Sequence, residues 1–259
     1  MTMRVTVLGC GSSDGVPRLG PDWGACDPNE PRNRRRRVSI VVERGHNRLL
    51  VDSSPDLREQ LLDAGVSRLD AVLYTHDHAD HTHGIDDLRS VNYRLGRPLA
   101  AYGEAAVLDS IAKRFGYAFG PMPAGAPWFR PSLIAHPVSG RFSIGAIEVM
   151  PFRQIHGKAE TTGFRFGGFA YSTDVNIIPE ESFAVLAGIE VWLVDCLRYH
   201  PSFGHAHLER SLEWIARVKP RQAVLTHMGP DLDYRELCRR LPAGVEPAYD
   251  GMVIELPAS

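Results

Sequence analysis

The chain has 259 residues, 44% of them hydrophobic and 23% charged, enough to bury a sizeable core, with a formal net charge of -2. That balance gives no global pull toward nucleic acid or an anionic membrane, so an acidic ligand has to be met by a local basic patch. Apolar stretches such as Ala184 to Ile189 fall far short of the ~20 residues of a membrane span, and the opening residues lack the apolar stretch of a secretion signal, so no membrane and a cytoplasmic protein are expected.

Met3 to Leu8 reads as a first strand, and residues 9 to 37, rich in glycine and proline and ending in Arg34 to Arg37, read as an irregular crossing. Strands follow at Val38 to Glu43 and Arg48 to Val51, a helix over Pro55 to Ala64 closed by Gly65, and a strand at Ala71 to Tyr74. A helix spans Glu104 to Phe115 before Gly116, and the proline-rich Phe119 to Pro131, with Trp128 and Phe129, is a second irregular stretch that either borders a cleft or merely crosses the surface. Strands are then expected at Ile147 to Phe152, Thr162 to Phe166, Phe169 to Tyr171, Val191 to Val194, Ala223 to Leu225 and Met252 to Leu256. Between them lie helices at Pro179 to Ala187, Leu208 to Val218 and Tyr234 to Arg240. Strands in both halves with helices outside them predict a four-layer α/β sandwich, one domain over residues 1-259 with its chemistry on loops at one sheet edge.

After Ala71 to Tyr74 comes Thr75-His76-Asp77-His78-Ala79-Asp80-His81, which puts the four candidate ligands His76, His78, Asp80 and His81 within six residues. In a loop after a strand, His76 and His78 can point one way and Asp80 and His81 the other, so one segment can serve two adjacent ions. Imidazole with carboxylate suits zinc, manganese or iron. His156, Asp174 and His227 each follow an apolar run. Singly each is weak, since a lone histidine at a strand end is more often a hydrogen-bonded core or surface residue.

Taken in order, this set resembles the metallo-β-lactamase superfamily, whose pattern is His-x-His-x-Asp-His followed at long intervals by His, Asp and His, each after a strand. The resemblance implies that fold, an αββα sandwich, and two divalent ions, zinc or manganese. It implies that His76, His78 and His156 hold one ion, that Asp80, His81 and His227 hold the other, and that Asp174 bridges them. Asp52, in Leu50-Val51-Asp52-Ser53-Ser54, matches the family's early aspartate and would orient a ligand histidine; capping the helix at Pro55 is the plainer alternative, and the two are compatible. Two such cations about 3.5 to 4 Å apart can share a hydroxide at neutral pH and stabilise charge on a phosphoryl or carbonyl oxygen.

Within the superfamily, only 32 residues follow His227, too few for a helical glutathione-binding domain, and the 18-residue step from His156 to Asp174 has no room for the transfer-RNA arm of ribonuclease Z. The chain is most similar to the PhnP-type phosphoribosyl cyclic phosphodiesterases, through Gly9-Cys10-Gly11-Ser12-Ser13-Asp14-Gly15-Val16-Pro17, Leu225-Thr226-His227 and Tyr249-Asp250-Gly251-Met252, and more distantly to ribonuclease Z. That branch implies hydrolysis of a small, cyclic phosphodiester, with Asp80 and His205 catalytic. His205, 22 residues before His227, holds the place of the family's non-ligand catalytic histidine, and His207 does not. Arg35 and Arg37 are candidate phosphate contacts if the strand alternation runs on through them; a solvated charge run is the alternative. The branch also carries a structural zinc on clustered cysteines, whereas Cys26 stands alone here, so that zinc is not expected. The expected partner is a small phosphodiester, with long nucleic acid disfavoured and a homodimer left open. Two other readings use the same residues: a thioester or lactone hydrolase, and a non-hydrolytic metal or redox module.

Overall fold

In the computed structural model, which describes residues 2-121 and 129-257, the period-two apolar runs become two seven-stranded sheets. The first contains β1 (Met3–Gly9), β2 (Ser39–Arg44), β3 (Asn47–Val51), β4 (Ala71–Leu73), β5 (Leu99–Gly103) and β6 (Leu133–Pro137). The second contains β7 (Phe142–Ile144), β8 (Ile147–His156), β9 (Ala159–Phe166), β10 (Phe169–Ser172), β11 (Val191–Asp195), β12 (Gln222–Thr226) and β13 (Val245–Pro247). β14 (Val253–Leu256) returns to pair antiparallel with β1. Each sheet is antiparallel on one side and parallel on the other, the parallel part running β3 to β6 in the first and β10 to β13 in the second.

Alternation decides which face each residue takes. Val5, Val7, Ile40, Val42, Leu49, Val51, Ala71 and Leu73 point inward and share one core with Val149, Phe164, Trp192 and Val194 of the other sheet. Their neighbours Leu8, Val41, Leu50 and Val72 point outward into a second core. Helices α1 (Leu57–Asp63), α3 (Leu88–Leu95), α4 (Ala105–Arg114) and α5 (Gly116–Phe119) cover it through Leu57, Leu88, Val91, Leu108 and Ile111. Outside the second sheet, α6 (Glu180–Leu186), α7 (Leu208–Val218) and α8 (Tyr234–Arg240) contribute Leu186, Trp214 and Leu237. This is the αββα arrangement the sequence predicts. Among the described residues no helix is long and apolar enough to cross a membrane.

The structure departs from the sequence reading in two respects. Asp80 and His81 do not lie in an open loop but on a short helix, α2 (Ala79–Thr82). The segment 88-95 and the strands β5, β6, β7 and β13 were not anticipated. Of the second irregular stretch, residues 122-128, Trp128 included, lie outside the described residues.

Candidate metal centre

The predicted site residues converge at one end of the two sheets. Asp52 follows β3, the segment His76 to His81 follows β4, His156 ends β8, Asp174 follows β10 and His227 follows β12. Apart from His156, these positions lie at or beyond the carboxyl ends of parallel strands, where open α/β sheets place their ligands. Asp52, Asp174 and His227 adopt left-handed φ values of 62°, 53° and 57°, a conformation uncommon for non-glycine residues that turns the chain sharply at each strand end.

Donor atoms from His76, His78, His156 and Asp174 form one group, and those of Asp80, His81, Asp174 and His227 a second, each within 4.8 Å of one another. Asp174 belongs to both. Its Oδ2 lies 3.1 Å from His81 Nε2, and its Oδ1 lies 3.5 Å from His227 Nε2 and 3.8 Å from His76 Nε2. All seven predicted donors are therefore brought together.

Hydrogen bonds behind the cluster set which ring nitrogen faces it. Asp52 accepts from His81 Nδ1 at 2.8 Å and from the Thr75 backbone N–H and hydroxyl, both at 2.9 Å. Thr75 Oγ1, whose own proton goes to Asp52, takes the proton of His76 Nδ1 at 3.0 Å, and the Gly204 carbonyl takes that of His156 Nδ1 at 2.5 Å. Each bond leaves an Nε2 lone pair for the centre. Asp52 is thus spent on Thr75 and His81. It does not cap α1, whose N-cap is Asp56.

Buried polar atoms ordinarily find partners, yet the Nε2 atoms of His76, His81 and His227 have none. Burial opposes charge on His81 and His227, but the Asp174 and Asp80 carboxylates outweigh it, holding His81 well above the usual histidine value and His227 at about 9. Burial prevails at His76, whose pKa is pushed well down. At Asp174 burial opposes ionisation, but the His227 and His81 cations hold the carboxyl well below its usual range. Carboxylates that draw positive charge onto buried histidines whose Nε2 atoms face inward make a donor set suited to divalent cations, which would displace the ring protons on binding.

His205 sits beside both groups: its ring stacks on His227 at 4.6 Å and lies edge-on to His156 at 4.5 Å. Its Nδ1 is 3.3 Å from Asp195 Oδ2 and 3.9 Å from Asp174 Oδ1. His207 instead occupies the N-cap position of α7. Asp195 was missed in the sequence. It is fully buried at the end of β11 and also accepts from the backbone of Val175 and Ala206. Its signal, an acid directly after the apolar Val191 to Val194, is the same one that marks Asp174 and His227.

The two arginines are corrected. The strand alternation does not run on through them: Arg35 is 1% exposed and donates to the Leu232 carbonyl at 2.7 Å, the Gly229 carbonyl at 3.3 Å and Asn33 Oδ1 at 3.3 Å. Its guanidinium holds the N-terminal loop to the loop that follows His227. Arg37 turns its Nε to Asp56, 3.0 Å away. Neither is among the groups around the centre.

Residues 47–228 match the family described as "Beta-lactamase superfamily domain". The chain belongs to the metallo-β-lactamase superfamily. A superfamily member solved as "a New Diphosphatase from the PhnP Family" is similar at a TM-score of 0.91 and 34% identity, over 99% of this chain and 98% of that one. Zn(2+)-bound PqqB from Methylobacterium extorquens has the same fold at a TM-score of 0.79 and 21% identity, over 98% of this chain and 100% of that one. An octanoyltransferase of Porphyromonas gingivalis is 34% identical over 256 residues, 96% of this chain and 51% of the relative. The chain spans about half the length, or less, of the curated relatives it matches.

Proposed function

We propose that this chain is a dinuclear metal-dependent hydrolase acting on a small phosphodiester, a cyclic one fitting best. The observation that carries the reading is His205, held against both donor groups, with a buried carboxylate behind its Nδ1 and neither donor group needing it as a ligand. Two divalent ions, zinc or manganese, would be held by His76, His78 and His156 on one side and by Asp80, His81 and His227 on the other, with Asp174 common to both. When bound they would lower the pKa of a water and neutralise charge on the phosphoryl oxygens. The zinc-bound PqqB relative supports zinc as one of the two choices.

The remaining work falls to side chains. Asp52, Thr75 and the Gly204 carbonyl keep the histidine rings from rotating, so the donor geometry exists before substrate arrives. In the reaction a water gives up one proton to solvent as its oxygen bonds to phosphorus, and the P–O bond to the leaving alkoxide breaks. His205 delivers a proton to that departing oxygen, and Asp195, 3.3 Å from its Nδ1, fixes its ring. An alkoxide leaves less readily than a thiolate and gains more from this proton. The diphosphatase relative favours phosphorus chemistry.

A second reading, hydrolysis of an acyl ester, thioester or lactone, is favoured by one observation, the relative named octanoyltransferase. Purified protein supplied with Mn²⁺ or Zn²⁺ should be assayed against a chromogenic phosphodiester, cyclic nucleotides, S-lactoylglutathione and an octanoyl thioester, with metal content measured on the same preparation. About two ions per chain and the highest kcat/KM on a phosphodiester are expected. A thioester that outperforms every phosphodiester with both metals would replace the first reading by the second, and a reproducible content of one ion would remove the dinuclear assignment.

A further inference from the structure

β8 and β9 are joined by a two-residue turn: His156 pairs with Ala159, leaving Gly157 and Lys158 at the tip. Gly157 has a left-handed φ of 63°, as the first central residue of such hairpins prefers. Its missing side chain serves a second purpose. A carbon added at Gly157 would stand 2.7 Å from Phe203 Cε1 and 3.1 Å from Cδ1, so the phenyl ring packs directly on the glycine. The turn and the ring are in direct contact.

Phe203 is 72% exposed in spite of that contact. One part of the ring is seated on the turn and the rest faces water. Single exposed apolar residues are ordinary, so exposure alone carries nothing; position does. The ring touches the residue after His156. Its own chain supplies, one residue on, the Gly204 carbonyl that orients His156 and, two residues on, His205. Close approach is required here too, because a side chain at Gly204 would stand 2.8 Å from His156 Cε1. Phe203 thus lies beside the two segments that carry and orient His156 and His205, next to the place an ester's phosphorus would take at the candidate centre.

We infer that Phe203, seated on Gly157, is a subsite for a flat ring carried by the substrate, a nucleobase or an aryl group. Stacking suits such a site because an aromatic face accepts any base or arene without a matched set of hydrogen bonds. The inference rests on the phosphodiester reading and narrows it to esters that carry a ring.

The test compares adenosine 2′,3′-cyclic phosphate with glycerol 1,2-cyclic phosphate, using metal-loaded protein and its Phe203→Ala and Phe203→Tyr variants. The KM ratio is read on each single preparation, so a general loss of active protein cancels. The KM for the adenosine ester should be about tenfold the lower in the parent, the advantage should fall to nearly nothing in Phe203→Ala, and Phe203→Tyr should restore it. An aryl cyclic ester that gains the advantage while the adenosine ester does not assigns the ring to an arene. A parent without preference for either ring, or a preference that survives Phe203→Ala, overturns the inference while leaving the phosphodiester reading standing. If no phosphodiester is cleaved, that reading has failed and binding decides the rest. Adenosine 5′-monophosphate should then bind about tenfold more tightly than ribose 5-phosphate in the parent and equally in Phe203→Ala, and equal binding in the parent counts against the subsite.

Discussion

Arg35→Met separates two roles for one residue, a phosphate contact or a structural clamp. Methionine keeps much of the aliphatic volume and removes the five-donor guanidinium. The Leu232 carbonyl, which receives the 2.7 Å bond, is left without a donor. Gly229 keeps only the weaker 3.3 Å bond from the Leu232 N–H, and Asn33 Oδ1 keeps the Tyr234 N–H at 2.8 Å. One buried carbonyl left bare costs about 1 to 3 kcal/mol, and each charge-assisted bond lost to the other two about 1.5 to 3 kcal/mol. The guanidinium's own desolvation is recovered and offsets part of this, so a net loss of about 3 to 5 kcal/mol is expected. For a chain of this size that lowers Tm by about 10 °C. Melting should be followed after chelation and again at one fixed, saturating metal concentration, because weaker binding would otherwise shift Tm by mass action. A Tm within about 2 °C of the parent, together with a loss of two orders of magnitude or more in kcat/KM on a phosphodiester, would refute the clamp and return Arg35 to the substrate.

His205→Ala should lower phosphodiester turnover by about 10² to 10⁴ with metal content kept, whereas His207→Ala should change it only a few-fold; rates and elemental analysis on both variants check the ranking. Asp52→Asn frees His81 from its oriented tautomer and should weaken metal binding by about 10- to 100-fold, read by competition with a chromogenic chelator; unchanged affinity would mean the ring is held by packing alone. Asp250, whose carboxylate accepts from the backbone of Cys10 and Arg36, is pushed by burial to about 6. Its folded pKa is above the unfolded one, so the native state holds the extra proton and stability falls as pH rises from about 4 to 6, by at most about 3 kcal/mol. Asp250→Asn should lack that slope, and parallel denaturation profiles for the two proteins across this range would exclude it.

Much of the fold was readable because its strands alternate cleanly. Val5 and Val7 against Leu8, or Ile40 and Val42 against Val41, assign faces without knowledge of any neighbour. β5 was not readable: Leu99-Ala100-Ala101-Tyr102-Gly103 has little intrinsic strand preference and is held by parallel pairing with β4 and β6, segments up to 34 residues away in register. α3 hides its register because a buried polar residue, Asn92, completes the inward face of Leu88 and Val91, its amide donating to the carbonyls of Arg97 and Ser132. The candidate centre was readable where chemistry is dense, as from His76 to His81. It was less so at Asp195, a single acid on an apolar strand. The destination of Arg35 was out of reach, since its partners Gly229 and Leu232 are almost two hundred residues away.

The two donor groups draw on both sheets, with His76, His78, Asp80 and His81 from the first and His156, Asp174 and His227 from the second. This division sets an order of events during synthesis. The dense histidine segment leaves the ribosome long before its partners, and His227 emerges 151 residues after His76. A nascent or truncated chain ending before His227 lacks a donor of the second group and, on the dinuclear reading, should hold ions only loosely. On the same reading secure capture would wait until the later sheet has closed on the earlier one, so retained metal would report that the two sheets have come together.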